Sequence, residues 1–283
     1  MISREEKNKE VVKELQKEKT MEISKKIFTI VTIIFSITFL LFAYMYFVGT
    51  KGLQTKEYVI KDSNIPKSFH GVKIVHFSDL LYGNSINKQY LDKLQNEIKK
   101  INPNIVFFTG NLISKEYQAT DDDIKNIKSF LKNIPYTIGK YAIKGDKDTN
   151  TFDLIFDNTN FTILNNETVG AYNNNQECIN IIGLNNNSTK VDVNGIEAYT
   201  ITLINNYDNF ERFNVFSNLI FAGYNLGGEI RLFNIPLIKK SKFNNNYYEK
   251  NNTKIYISSG IGSIHHLRLM NHPSINVYRL YNK

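Results

Sequence analysis

The chain has 283 residues, 42% hydrophobic and 22% charged, with a formal net charge of +8, one cysteine and no tryptophan. That length suits one large domain or two small ones, and a composition so near the average of folded domains excludes disorder over most of it. Cys178 on its own makes no intramolecular disulfide and no cysteine-based zinc or iron–sulfur site, and asparagine runs such as Asn173-Asn174-Asn175 and Asn244-Asn245-Asn246 read as filler of solvated loops.

Residues 1–26 form a charged segment rich in Lys and Glu, in which Val11, Val12, Leu15 and Met21 recur loosely at helical spacing. It reads as a solvated helical extension on the cytoplasmic side, with a short interaction helix as the alternative. Residues 27–48 contain no charge, no proline and no glycine. About 22 residues rising 1.5 Å each give a helix of about 33 Å, enough to cross a hydrocarbon core of roughly 30 Å, so the segment is predicted to be a transmembrane helix. Tyr44, Tyr46 and Phe47 crowd one end, where amphipathic rings favour the membrane–water interface. The run is longer than the apolar core of a signal peptide, and Ala43-Tyr44-Met45 is a poor cleavage site, which favours an uncleaved anchor. Lys17, Lys19, Lys25 and Lys26 before the span outweigh Lys51, Lys56 and Lys61 after it. The expectation is a single-pass protein of the cell membrane with a cytoplasmic N-terminus and an extracellular C-terminal body.

Residues 49–70 read as a linker, and 71–283 as the folded body. Residues 72–77 alternate and then run apolar like a strand ending at Ser78-Asp79. Ile86, Tyr90, Leu91, Leu94, Ile98 and Ile101 follow at steps of three and four, predicting a helix stopped by Pro103. A second strand, 105–108, ends at Thr109-Gly110-Asn111. Asp121-Asp122-Asp123 then opens a helix whose apolar stripe is Ile124, Ile127, Phe130, Leu131 and Ile134. A third strand, 141–143, ends at Gly145-Asp146-Lys147-Asp148. Further strands are predicted at 161–164, 179–184, 198–204, 219–222, 255–258 and 275–280, with an Asn194-Gly195 hairpin signal within 191–198. No repeat of 20–50 residues is present. The pattern predicts an α/β fold with its polar loops at the carboxyl ends of the strands, where such folds place their sites.

In order and spacing, six strand-end segments resemble those of the calcineurin-like metallophosphoesterases, most closely the membrane-anchored bacterial branch. They are Ser78-Asp79-Leu80-Leu81, Thr109-Gly110-Asn111, Gly145-Asp146-Lys147-Asp148, Ile204-Asn205-Asn206, the run from Gly223 to Arg231, and Ser258-Ser259-Gly260-Ile261-Gly262. The resemblance covers the whole body and implies a metallophosphoesterase-type sandwich of two mixed β-sheets flanked by helices, preceded by one transmembrane helix. It also implies a cage in which an Asp, a His, a bridging Asp, an Asn and three further histidines hold two metal ions that activate water against a phosphoester.

Carried over position by position, this cage is degenerate. Asp79 keeps its identity, the following His is Leu81, and the bridging Asp is Asn111. The Asn ligand is Asp146, the catalytic His position holds Lys147, and the later histidines read Asn205, Tyr224 and Leu226. Leucine has no lone pair and an ammonium repels a cation, so Asp79 and Asp146 are the only residual metal ligands and no residue is assigned as catalytic. Thr109, Asp148, Arg231 and the turn glycines Gly110, Gly145, Gly223, Gly227 and Gly228 stand as the family has them. Scaffold kept and ligands lost is the pattern of a pseudoenzyme.

No cofactor is therefore expected, or at most a single divalent metal ion. Lys147 reads as a salt-bridge partner of Asp79 and Asp146 that closes the site. The alternative has it cradling a phosphate with Asn111, Asn205, Asn225 and Tyr224 as neutral donors. His265, His266 and His272 read as loop packing, with a zinc site as the alternative, and His76 as a hydrogen-bonded core residue. The longest basic run, Lys239-Lys240-Ser241-Lys242, is too short to suggest nucleic acid, and the expected partners are the membrane and a protein or an anionic, phosphate-bearing ligand. The expected function is a binding or regulatory module, with a weak or single-metal phosphoesterase supported by Asp148 as the alternative.

Overall fold

The computed structural model describes residues 4–174, 177–185, 198–213, 215–233, 235–238 and 241–283. The chain divides into two compact units, Met1–Met45 and Tyr46–Lys283.

The first unit is a helix, α1, Arg4–Tyr44, which the chain continues as a π-helical turn at Met45–Gly49. The helical run Val12–Gly49, most of α1 together with that turn, is long and apolar enough to cross a membrane. The hydroxyls in this stretch are satisfied inside the helix: Thr29, Thr32, Ser36 and Thr38 each donate to the carbonyl four residues back, at 2.8–2.9 Å. That removes the cost of carrying them through hydrocarbon, where no water is available as a partner. The charged residues before the span belong to the same helix.

The second unit is built on two six-stranded mixed sheets, and its elements along the chain are as follows. β1 is Gln54–Lys61, β2 Lys73–Phe77, α2 Lys88–Ile101, β3 Ile105–Phe108, α3 Asp121–Lys132, β4 Gly139–Ala142, α4 Thr151–Phe156 and β5 Phe161–Ile163. There follow β6 Glu167–Asn173, β7 Glu177–Leu184, β8 Thr200–Ile204, β9 Leu219–Ala222, β10 Arg231–Leu232, β11 Ile235–Pro236, β12 Tyr247–Lys250, β13 Thr253–Ile257 and β14 Ser274–Tyr281. The first sheet has the order β1-β14-β2-β3-β4-β5 and the second β12-β13-β9-β8-β7-β6, while β10 and β11 form a separate hairpin. Strands β2 to β5 run parallel, as do β7, β8, β9 and β13.

Strands buried on both faces must be apolar throughout, with successive side chains going to opposite layers. Ile74, Ile105, Phe107 and Tyr141 of the first sheet meet Ile179, Ile181, Ile201, Leu203, Leu219, Phe221 and Tyr256 of the second. Their neighbours Val75, Phe77, Val106 and Phe108 instead pack on Leu91, Leu94 and Ile98 of α2, Phe130 and Leu131 of α3, and Phe152 and Phe156 of α4. The outer face of the second sheet, with Ile182, Ile204, Ile220 and Ile257, is covered by Tyr207 and Phe213 around a 3₁₀ turn at Tyr207–Arg212. The expected α/β sandwich of two mixed sheets flanked by helices is the fold observed.

Several local readings change. Residues 49–70, read as a linker, carry β1, which pairs in parallel with β14 along its full length, from Gln54 with Ser274 to Lys61 with Tyr281. The strand is the edge of its sheet, and charges such as Lys56, Glu57 and Lys61 within it obscured the alternation that identifies a strand. The strand expected from 198 begins at Thr200, and β6, β12 and the short α4 were not anticipated. The Asn194-Gly195 hairpin signal falls in 186–197, outside the described residues.

Candidate functional site

All six segments singled out in the sequence lie at carboxyl ends of strands, after β2, β3 and β4 of the first sheet and after β8, β9 and β13 of the second. Five non-glycine residues among them hold left-handed backbone conformations: Asp79 (φ 48°), Leu81 (46°), Asn111 (62°), Tyr224 (73°) and Leu226 (56°). Such conformations are costly for leucine and tyrosine and persist only where surrounding structure imposes them. The imposing contacts are visible. A Cβ on Gly110 would fall 2.6 Å from Gly145 Cα, so the loops after β3 and β4 approach as backbone on backbone.

Asp79 lies at the centre and is 1% exposed. Asn111 Nδ2 donates to its Oδ1 at 2.7 Å, while Ser78 Oγ (2.6 Å) and the Tyr224 backbone N–H (2.9 Å) donate to its Oδ2. Burial pushes the Asp79 carboxyl above the ordinary range, and these three donors together with the nearby Lys147 charge oppose the rise. Asn111 is itself fully buried, and its amide oxygen accepts the Lys147 backbone N–H at 3.1 Å. Asn205, buried under the site, donates through Nδ2 to the Thr109 carbonyl at 2.6 Å and accepts the Asp146 N–H at 3.2 Å, which joins the two sheets' loops.

The remaining positions are of two kinds. Leu81 and Leu226 are buried apolar side chains at 2% and 0% exposure, the second packed where Gly260 passes. Asp146 is exposed, whereas Lys147 and Tyr224 are half-buried at the mouth. Lys147 borders a cleft of about 440 Å³ lined also by Leu81, Asn84, Lys115, Glu116 and Tyr117. Asp148 does not face the centre. Its two oxygens accept three backbone N–H groups, from Asn111 (2.7 Å), Leu112 (2.7 Å) and Gly145 (2.8 Å), and so clamp the loops after β3 and β4 together. Enclosure of its carboxylate outweighs those donors and, with the Asp79 charge adding to the effect, pushes its pKa up to about 6.

The residues do not fit a two-metal cage. Both Asp79 oxygens already accept hydrogen bonds, the position where a bridging carboxylate would stand presents an N–H to Asp79, and two positions are leucine. Among the described residues no cluster of three or more His, Cys, Asp or Glu could hold a metal ion. His76, with Nε2 2.9 Å from Thr109 Oγ1, is fully buried, and burial pushes its pKa down to about 3. His265 is exposed, His266 packs against Tyr46 with ring centroids 4.5 Å apart and the rings tilted by 34°, and His272 lies beside Gly52.

Sequence reading missed two contributors. Ser78 Oγ is a direct partner of Asp79, although its position next to the aspartate was a signal in plain view. Arg268 is fully buried, and its guanidinium donates to the carbonyls of Ser259 (2.7 Å), Gly262 (2.5 Å) and Asn271 (2.9 Å), which fixes the loop after β13 against Asp79. Burial lowers its pKa while the Glu229 charge opposes that. Arg268 matches an arginine position of the resembled family in this loop, and what the sequence did not give is its role as the buried core of the loop.

No family model matches the chain. It is 27% identical over 266 residues to the uncharacterized metallophosphoesterase Cj0846 of Campylobacter jejuni, a match covering 85% of this chain and 66% of that protein's length. Over 246 residues it is 25% identical to the uncharacterized metallophosphoesterase YkuE of Bacillus subtilis, covering 81% of this chain and 85% of the relative. A shorter match, 32% over 92 residues, links 31% of the chain with 27% of the UDP-2,3-diacylglucosamine pyrophosphatase LpxG of Chlamydia trachomatis. Among solved structures, GAP50, the anchor in the inner membrane complex of Plasmodium, superposes on 69% of this chain and 73% of its own at a TM-score of 0.37 and 11% identity, too loosely to carry an argument. The names of the sequence relatives support a metallophosphoesterase family for this chain.

Proposed function

We propose that the chain is a membrane-anchored member of the metallophosphoesterase family that has lost hydrolysis and acts as a binding or regulatory module. The observation that carries this reading is the 2.7 Å hydrogen bond from Asn111 to Asp79. Two carboxylates facing each other there would need a cation or a shared proton between them, whereas a neutral amide N–H donates to Asp79 and adds no second negative charge for cations to offset. Retention of the loop scaffold beside this replacement argues for a selected shape without selected chemistry. Single-metal hydrolysis on Asp79 and Asp146 is the second reading, favoured by the names of the relatives and opposed by the engagement of both Asp79 oxygens and the exposure of Asp146.

The ligand class this reading favours is anionic and phosphate-bearing, taken up at the mouth where Lys147 and Lys115 border one cleft. The anchor is a single-pass helix in the cell membrane with its N-terminus in the cytoplasm, so the body meets lipid and protein surfaces rather than nucleic acid. The test uses the purified full-length chain in detergent. Metal analysis is expected to find no stoichiometric ion, and p-nitrophenyl phosphate and its bis ester with manganese to give no turnover above a buffer blank. Turnover that disappears in Asp79→Ala overturns the proposal. Calorimetric titration with nucleotides and phospholipid head groups is expected to show saturable heat that Lys147→Ala abolishes, and flat heats remove the ligand assignment.

A further inference from the structure

The β10–β11 hairpin departs from the rules by which the rest of the body is built. Leu232, Phe233, Ile235, Leu237 and Ile238 all stand in solvent, together with Met270, at exposures from 44% for Ile238 to 73% for Phe233. A single exposed apolar residue is ordinary, but six gathered on one hairpin and its neighbouring loop are not. The turn itself is anomalous. Leu232 of β10 pairs with Ile235 of β11, and the turn between them opens at Phe233, which takes φ 52°. Two-residue hairpin turns of this hand favour Asn, Asp or Gly at the left-handed position. A phenylalanine there accepts strain, and with 73% of its surface exposed it gains little packing within the body in return. A local rule broken without compensation in the folded chain points to a role outside it.

The surroundings of the hairpin indicate what covers it. The Phe233 N–H donates to Met270 Sδ at 3.3 Å, and Ile230 bridges Leu269, so the hairpin rests on the loop 263–270. In that same loop His266 packs against Tyr46, with centroids 4.5 Å apart and the rings tilted. Tyr46 and Phe47, in edge-to-face contact with each other, lie within the apolar run Val12–Gly49, so this flank of the body is joined to the end of the span by the chain itself. The sequence directly after the exposed apolar residues is Lys239-Lys240-Ser241-Lys242. An exposed apolar hairpin on the flank that carries aromatic rings from the end of the span, followed in the sequence by lysines, has the composition of an interfacial anchor, in which rings and aliphatic chains enter the acyl boundary and ammonium groups meet anionic head groups.

We propose that the β10–β11 hairpin with Met270 inserts into the outer boundary of the same bilayer that the helix crosses, giving the body a second, reversible membrane contact. This rests on the membrane-anchor reading but not on the loss of hydrolysis. The test reconstitutes the full-length chain, with Cys178→Ser, at low density in phosphatidylcholine–phosphatidylglycerol vesicles. A polarity-sensitive fluorophore is placed singly at Phe233→Cys, Leu237→Cys, Phe35→Cys in the span, or Asn64→Cys, which is exposed beside the amino ends of β7 and β8. The expected result is a blue shift and several-fold stronger quenching by shallow doxyl lipids at 233 and 237 than at 64, with position 35 quenched by deep doxyl lipids. Quenching at 35 but equal aqueous quenching at 233, 237 and 64 overturns the hairpin contact and leaves the anchor standing. Loss of lipid quenching at 35 as well overturns both. A blue shift at 233 that ignores doxyl lipids and grows with protein density assigns the surface to a second copy of the chain, and that also overturns the proposal.

Discussion

At Asn111 an amide nitrogen lies 2.7 Å from a buried carboxylate oxygen, and the exchange of that one group for an oxygen defines a test. In Asn111→Asp two buried carboxyls would share one site, and one must hold a proton. Its folded-state pKa then lies above the unfolded value, so the folded chain binds the extra proton and stability is lost as pH rises through that raised pKa. The variant is expected to be destabilised by about 3–5 kcal/mol at pH 7.5 and by clearly less at pH 5, read from thermal unfolding; equal losses at both values refute the account. Asp148 behaves differently because it serves backbone. Replacing it with Asn presents an N–H to groups that are already donors, and the expected cost is about 1–3 kcal/mol with loosening of the loops after β3 and β4, visible as faster amide exchange at Leu112 and Gly145. His76 sets an acid limit. Its folded pKa of about 3 lies below the ordinary 6.5, so the unfolded chain binds more protons in between and stability falls as pH drops from about 6.5 toward 3. His76→Phe should make that slope shallower in acid titrations followed by circular dichroism, whereas an unchanged slope would show that His76 does not set it. Asp148 contributes in the opposite sense between 3.8 and about 6, stabilising the fold as pH falls through that window.

Among the elements, α3 shows how local sequence and tertiary contacts combine. Thr120 Oγ1 accepts the Asp123 N–H and Asp123 accepts the Thr120 N–H in a reciprocal cap, and the same carboxylate takes the hydroxyls of Tyr82 (2.9 Å) and Tyr117 (2.8 Å). Thr120→Ala should cost about 1 kcal/mol by denaturant unfolding. Asp123→Ala should cost more, because it also leaves two tyrosine hydroxyls without their acceptor; similar costs would show that the tyrosines contribute nothing. Most of these central elements were legible in the sequence: α2 and α3 carry apolar stripes at steps of three and four, and β2 and β3 are largely apolar. The strand expected at 141–143 instead runs from Gly139 to Ala142, and its first two residues, glycine and lysine, give no strand signal. β1 was not legible, since an edge strand carries charge to discourage pairing with other chains. The hairpin at β10 and β11 escaped because Phe233 stands where turn chemistry asks for asparagine or glycine. For the site, the order of the six segments was readable, and so were the identities that make it degenerate. The hydrogen bond that closes it was not, because the direction in which Asn111 turns its amide depends on where β2 and β3 place their ends. The left-handed conformations of Leu81, Tyr224 and Leu226 were equally hidden, since nothing local favours them.

Over the whole molecule, the net charge of +8 is carried by a chain with one long apolar helix and one sandwich body. The expected topology is testable on intact cells: external protease should remove the body while a tag at the N-terminus stays protected, and the full chain should resist extraction with alkaline carbonate. Digestion of the N-terminal tag would reverse the orientation. The pairing of β1 with β14 carries a consequence for how the body is made. β14 is the last strand along the chain, yet it lies between β1 and β2, which flank the start of the body, so the first sheet is completed by a contact spanning some 220 residues, from Gln54 to Ser274. Until residues 274–281 arrive, the strand next to the anchor and the strand bearing Asp79 each present an unpaired edge. In the proposed orientation, with the body exported after the helix, the first sheet stays open until the last strand has crossed, and its unpaired edges are exposed to other chains over that interval.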